Sequence, residues 1–112
     1  MLNESHLLDR AFHALADSTR RAIVERLIAR PMTVSDLASP FEMSLPAVMQ
    51  HLAVLETAGL VRSHKAGRVR TCRIDPVAMR LVEHWMLDRR REWESRFDKL
   101  DDYLKTMEGK EK

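Results

Sequence analysis

Between Arg62 and Arg73 the sequence places five cations, Arg62, Lys65, Arg68, Arg70 and Arg73, and no acid. Such groups suit phosphate oxygens, which Arg meets with a planar fork of donors and Lys as a point charge. Arg68 follows Gly67, a turn former, and so stands beside the tip of any hairpin these residues make. A guanidinium at that tip could enter a narrow minor groove of duplex DNA while Lys65 and Arg70 neutralise phosphates. Upstream, Gln50 carries an amide able to pair with adenine N6 and N7, and Pro46 and Met49 offer apolar surface for thymine methyl groups.

The basic excess is local. Net charge is −1 over residues 1–43, +4 over residues 44–73 and −1 over residues 74–112, within an overall +2. The 112 residues fit one domain, and 45% hydrophobic with 32% charged residues is a globular composition. The longest apolar run, Leu52 to Leu55, is far short of the roughly 20 residues of a membrane span, so a soluble, cytoplasmic chain is expected. A lone Cys72 makes no internal disulfide, and three glycines build no glycine-rich phosphate loop. Five scattered His, with no nucleophile spaced next to a base and no paired carboxylates, argue against an enzyme.

These residues need positioning elements, and the sequence supplies them. Ser5 precedes Leu8, Ala11, Phe12 and Leu15, which share one face at helical periodicity. Asp17 can cap a second helix with the apolar stripe Ile23, Val24, Leu27 and Ile28, closed before Pro31. Thr33 starts a short third helix, with Asp36 three residues on and Val34, Leu37 and Ala38 inward, and Pro40 stops it. Ser44 caps a fourth, which tolerates Pro46 in its first turn and ends at Gly59. In that fourth helix Val48, Leu52 and Leu55 point inward with His51 at the edge, while Pro46, Gln50, Ala53 and Thr57 point outward and Met49 flanks them.

After Gly59 a hairpin is expected from Leu60 to Lys65 and from Arg68 to Ile74, with its turn at Ala66 and Gly67 and with Cys72 and Ile74 inward. Asp75-Pro76 then opens a last helix of about 30 residues, or about 45 Å, longer than a domain of this size is wide. Either that helix breaks near residues 88–91 or it meets a partner. Trp93, Phe97, Leu100, Leu104 and Met107 recur at spacings of four, three, four and three, a heptad seam that favours association. The expected architecture is mainly α with one β-hairpin: a winged helix-turn-helix with a long C-terminal dimerisation helix. As a single domain over 1–112, it divides into first helices 5–30, helix-turn-helix 33–58, wing 60–74, last helix 75–107 and tail 108–112.

Three stretches carry a resemblance to a known family. The run from Ala14 to Arg21 (ALADSTRR), the run from His51 to Val61 (HLAVLETAGLV) and Gly67-Arg68 resemble the ArsR-type winged-helix repressors over about residues 8 to 105. The resemblance implies a homodimer on an imperfect palindrome of double-stranded DNA, with Ser44 at a phosphate and Met49 and Gln50 reading bases. It also implies a dimer interface of the first and last helices, where Leu8, Phe12 and Trp85 join the seam residues Trp93, Phe97, Leu100 and Leu104. Leu45 and Met49 depart from the family's frequent glutamine and serine at their positions, so the operator sequence is not carried over. With Leu45 and His51 added, the candidate DNA surface is Ser44, Leu45, Pro46, Met49, Gln50, His51, Arg62, Lys65, Arg68 and Arg70.

Metal-sensing members carry a Cys-x-Cys-like pair before the reading helix, or Asp/His and His/Glu pairs in the last one. Here residues 33–38 hold neither Cys nor His, and the last helix offers His84 alone, so no metal site and no cofactor are expected. The chain resembles the metal-independent branch, released from DNA by falling concentration or by an unknown small-molecule inducer near the junction of the first and last helices. The alternative is a winged-helix protein-interaction module whose wing is merely solvated.

Overall fold

The structure, a computed structural model, describes residues 4–110. Its elements are α1 (Glu4–Leu15), α2 (Ser18–Ala29), β1 (Met32–Thr33), α3 (Val34–Ala38), α4 (Leu45–Thr57), β2 (Val61–Ala66), β3 (Val69–Ile74) and α5 (Pro76–Lys110). One compact unit ends at Val82 and a second begins at Glu83. Among the described residues no helix is long and apolar enough to cross a membrane.

Side-chain oxygens start α2, α3 and α4 as expected. Asp17 accepts from the Arg20 amide at 3.0 Å, Thr33 from the Asp36 amide at 3.1 Å and Ser44 from the Ala47 amide at 3.3 Å. Each satisfies an amide that has no partner inside its own helix. The Asp17 carboxyl is held below its ordinary range, first by that amide bond. Ser5 is not a cap: α1 already includes Glu4, so Ser5 lies within its first turn.

The far end of α1 is closed by arginines instead. Arg20 donates from Nε to the Ala14 carbonyl at 2.6 Å and from Nη2 to the His13 carbonyl at 3.1 Å, while Arg21 reaches the Leu15 carbonyl at 2.8 Å. Cations at a helix C-terminus meet both unpaired carbonyls and the negative end of the helix dipole. Much of the run from Ala14 to Arg21 thus has a structural explanation, since its side chains tie the end of α1 to the start of α2.

The core gathers Ile23, Val24 and Leu27 of α2, Val34 and Leu37 of α3, and Val48, Leu52 and Leu55 of α4 against Leu60, Val61, Cys72 and Ala78. Ile28, expected inward, is 62% exposed, because it lies one residue beyond the stripe that packs. Cys72 is fully buried, and that burial pushes its thiol pKa up, away from reactive thiolate.

The wing is a three-stranded antiparallel sheet ordered β1-β3-β2. Its third strand, two residues long, carried no readable pattern and was not expected. Ala66 pairs with Val69, so the turn is Gly67-Arg68 rather than Ala66-Gly67. Glycine decides this: the first turn position needs a positive φ, which Gly67 adopts at 62°, whereas Ala66 there would be strained. Gly59 ends α4 with φ 76°, and a Cβ there would meet Ala78 Cβ at 3.7 Å, an ordinary contact. Gly59→Ala is therefore expected to cost about 1–2 kcal/mol through backbone conformation alone, read as a lowered urea midpoint with unchanged slope.

Candidate nucleic-acid interface

The alternation of side chains along a strand sorts the wing's cations. Residues paired across a ladder share a face, and Val61 pairs with Ile74, Ser63 with Cys72 and Lys65 with Arg70. Val61 and Cys72 are buried, so Lys65 and Arg70 extend the face that packs on the helices. Arg62 and Arg73 pair on the other face, as do His64 and Thr71. Arg68 occupies the turn.

On the inner side, α4 and the wing enclose a groove of about 370 Å³. One wall is Leu45 and Met49 of α4, the other is Lys65, Arg68, Val69 and Arg70, and residues Thr33 to Ser35 close an end. The Arg70 guanidinium donates to Ser63 Oγ at 2.7 Å, which holds it along the sheet. On α4, Ser44, Leu45, Pro46, Met49, Gln50 and Ala53 are all exposed, with Leu45 at 47% and Met49 at 45%. A neutral helix face beside a row of cations fits a major groove and its adjacent phosphates.

Two of the expected surface residues are placed differently. Arg62 turns from the groove to donate Nε to Asp75 Oδ2 at 2.7 Å. Its register partner is Arg73, and like charges directly opposed are unfavourable, so the carboxylate offsets their repulsion. His51 is half-buried, its Nδ1 lying 3.4 Å from Arg20 Nη1 and 3.9 Å from Asp17 Oδ2. It braces α4 against the start of α2. Both roles depend on partners far away in sequence, so neither could be read from spacing.

The sequence reading also missed the positioning residues. Ser63 looked like a neutral strand residue, and Thr33, Val34 and Ser35 reach the groove because β1 pairs Met32 with Cys72 and Thr33 with Thr71. His84, the single His of α5, lies 3.4 Å from Asp88 Oδ2 one turn on.

A family model described as a helix-turn-helix domain matches residues 15–64. The crystal structure of an ArsR family transcriptional regulator is 47% identical, with a TM-score of 0.78, over 85% of this chain and 98% of that one. The chain belongs to the ArsR family of winged helix-turn-helix transcriptional regulators. An ArsR-like regulator from Rhodococcus sp. RHA1 is 30% identical with a TM-score of 0.71, over 84% of this chain and 89% of that one. The chain is also similar to the HTH-type transcriptional regulator Rv2034 of Mycobacterium tuberculosis, 54% identical over 63% of this chain and 66% of that protein. The transcriptional repressor SdpR of Bacillus subtilis is 30% identical over 72% of this chain and 90% of its own length.

Within this ArsR-family wing the Asp75 carboxylate has two tasks, since its Oδ1 also accepts the Val77 amide at 3.1 Å at the start of α5. That amide bond, followed by Arg62, holds its pKa below the ordinary carboxylate range. A carboxylate whose folded pKa is depressed stabilises fully above its unfolded value of about 3.9, and the contribution disappears as pH falls through the folded value. Asp75→Asn keeps a capping acceptor but no charge, so the variant is expected to lose less stability than the parent between pH 5 and 2. Urea titrations across that range check this.

Proposed function

We propose that the chain is a homodimeric repressor that reads an imperfect palindrome with α4, grips the flanking phosphates with the inner face of the wing, and does not respond to metal ions. The observation that carries this reading is the single groove in which Leu45 and Met49 of α4 face Lys65, Arg68 and Arg70. Gln50 is the polar group of the exposed reading face and supplies the base-specific hydrogen bonds. Ser44, at the start of α4, stands next to a phosphate. Similarity to a transcriptional repressor supports repression as the output.

Dimerisation supplies two reading helices about one turn of DNA apart, which a palindrome requires. Phe12 of α1 and Trp85, Trp93, Phe97, Leu100 and Leu104 of α5 are exposed apolar side chains, and Leu8 is half-buried. Metal independence rests on donor chemistry: residues 33–38 hold no thiol or imidazole, and α5 holds no thiol and one imidazole, His84.

Gln50→Ala is expected to relax base preference at one position per half-site at a cost of roughly 1–3 kcal/mol. Arg68→Ala weakens all sequences alike and lowers the slope of log affinity against log salt by about one. Binding titrations on operator and random duplexes separate the two, and parental behaviour of both variants contradicts the docking. Zinc, cadmium or arsenite is expected to change operator affinity by less than about threefold at constant ionic strength, below the usual allosteric coupling. A tenfold loss that His84→Ala abolishes contradicts metal independence.

A further inference from the structure

Two crevices border α1 within the compact unit that ends at Val82. The smaller, at the junction of α1 with the start of α5 where an inducer was expected, is lined by Leu7, Ala78 and Leu81 and holds about 130 Å³. That is below the roughly 300 Å³ at which small-molecule sites begin. The larger, between α1 and α4, holds about 460 Å³ and falls within their range. Ala53, Val54 and Thr57 of α4 line one wall, and Asp9, Arg10 and His13 of α1 the other.

The α4 wall is uncharged and rich in carbon; the α1 wall carries the charge. Asp9 and Arg10 are exposed and form no ion pair with each other or with any other described residue. Consecutive residues of a helix point about 100° apart, which is why these two do not neutralise one another. One anion and one cation thus flank the same apolar wall, both open to a ligand. Leu8 and Phe12, the residues of α1 given to the dimer, centre roughly 130° round the helix from Asp9, Arg10 and His13. A second copy seated on that face leaves the crevice open.

We propose that this crevice binds an apolar α-amino acid as its zwitterion, the carboxylate on Arg10, the ammonium on Asp9 and the side chain against Ala53, Val54 and Thr57. Neither charge can be dropped from the ligand. A carboxylic acid without the amine sets like charge beside Asp9, and an amine without the carboxylate does so beside Arg10. The crevice also adjoins the face of α4 assigned to DNA, since Ala53 lies one turn beyond Gln50. Its α1 wall is tied to α4: the His13 carbonyl accepts from Arg20 Nη2 at 3.1 Å, and Arg20 Nη1 lies 3.4 Å from His51 Nδ1. A ligand that spreads α1 from α4 strains this tie and shifts the reading face, so the free and DNA-bound forms take it up unequally. That coupling rests on the reading of α4 above; the binding does not.

Titration calorimetry of the full chain without DNA tests the site, with L-phenylalanine as probe and 3-phenylpropanoate and 2-phenylethylamine as its singly charged analogues. Saturable binding of phenylalanine is expected, about three- to tenfold weaker for either analogue and for the Asp9→Asn and Arg10→Gln variants. Both substitutions fall on exposed side chains, and unchanged circular dichroism separates loss of ligand from loss of fold. No saturation up to about 10 mM, equal binding of an analogue, or parental binding by both variants overturns the site. Saturating phenylalanine is also expected to weaken operator binding about fivefold or more, and operator to weaken phenylalanine binding by the same factor. Phenylalanine binding with operator affinity unchanged overturns the coupling, whereas phenylalanine binding by a chain that binds no DNA overturns the reading of α4 instead.

Discussion

A slip of β3 by one residue against β2 would bring Arg73 inward in place of Cys72 and carry Arg70 away from α4, because successive side chains of a strand point to opposite faces. The register of the wing is thus the constraint on which the interface depends. Three features fix it. Cys72, fully buried between Met32 of β1 and Ser63 of β2, cannot be exchanged for a charged neighbour. Gly67 alone of the residues near the tip takes a positive φ. Arg62 and Arg73 are tolerated opposite one another because Asp75 binds the first of them. A small apolar core at one end of the ladder therefore determines which cations stand beside α4 at the other.

Helix α4 is held from its other side by charge and hydrogen bonds. Arg20 closes the carbonyl end of α1 and reaches His51 of α4, while Asp17 caps α2 and stands near the same imidazole. Three helices meet at one half-exposed cluster. The runs from Ala14 to Arg21 and from His51 to Val61, which carry the resemblance to the ArsR family, fall largely on this scaffold and on the α4-to-β2 turn, whereas Leu45 and Met49 line the groove.

Much of this was legible in the sequence because it is local. Caps at Asp17, Thr33 and Ser44, the stop at Gly59 and the inward residues of α4 each follow from a side chain and its neighbours within a few positions. The cations of the wing were also legible as a group, but their division into two faces was not, since it turns on a register set by Cys72 and Gly67. Ile28 matched the helical period and is exposed; Arg62 matched the basic cluster and is claimed by Asp75. β1 escaped notice because two residues carry no period. In each case the missing information was a partner distant in sequence.

The division of the wing into an inner, DNA-gripping face and an outer one is the account's central claim, and salt dependence measures it directly. Each phosphate contact contributes about 0.9 to the slope of log affinity against log salt on duplex DNA. Lys65→Ala, on the inner face, is expected to lower the slope by about one, while Arg73→Ala, equally basic but on the outer face, leaves it unchanged. The reverse pattern, or a parent protein whose affinity does not vary with salt, would contradict the account.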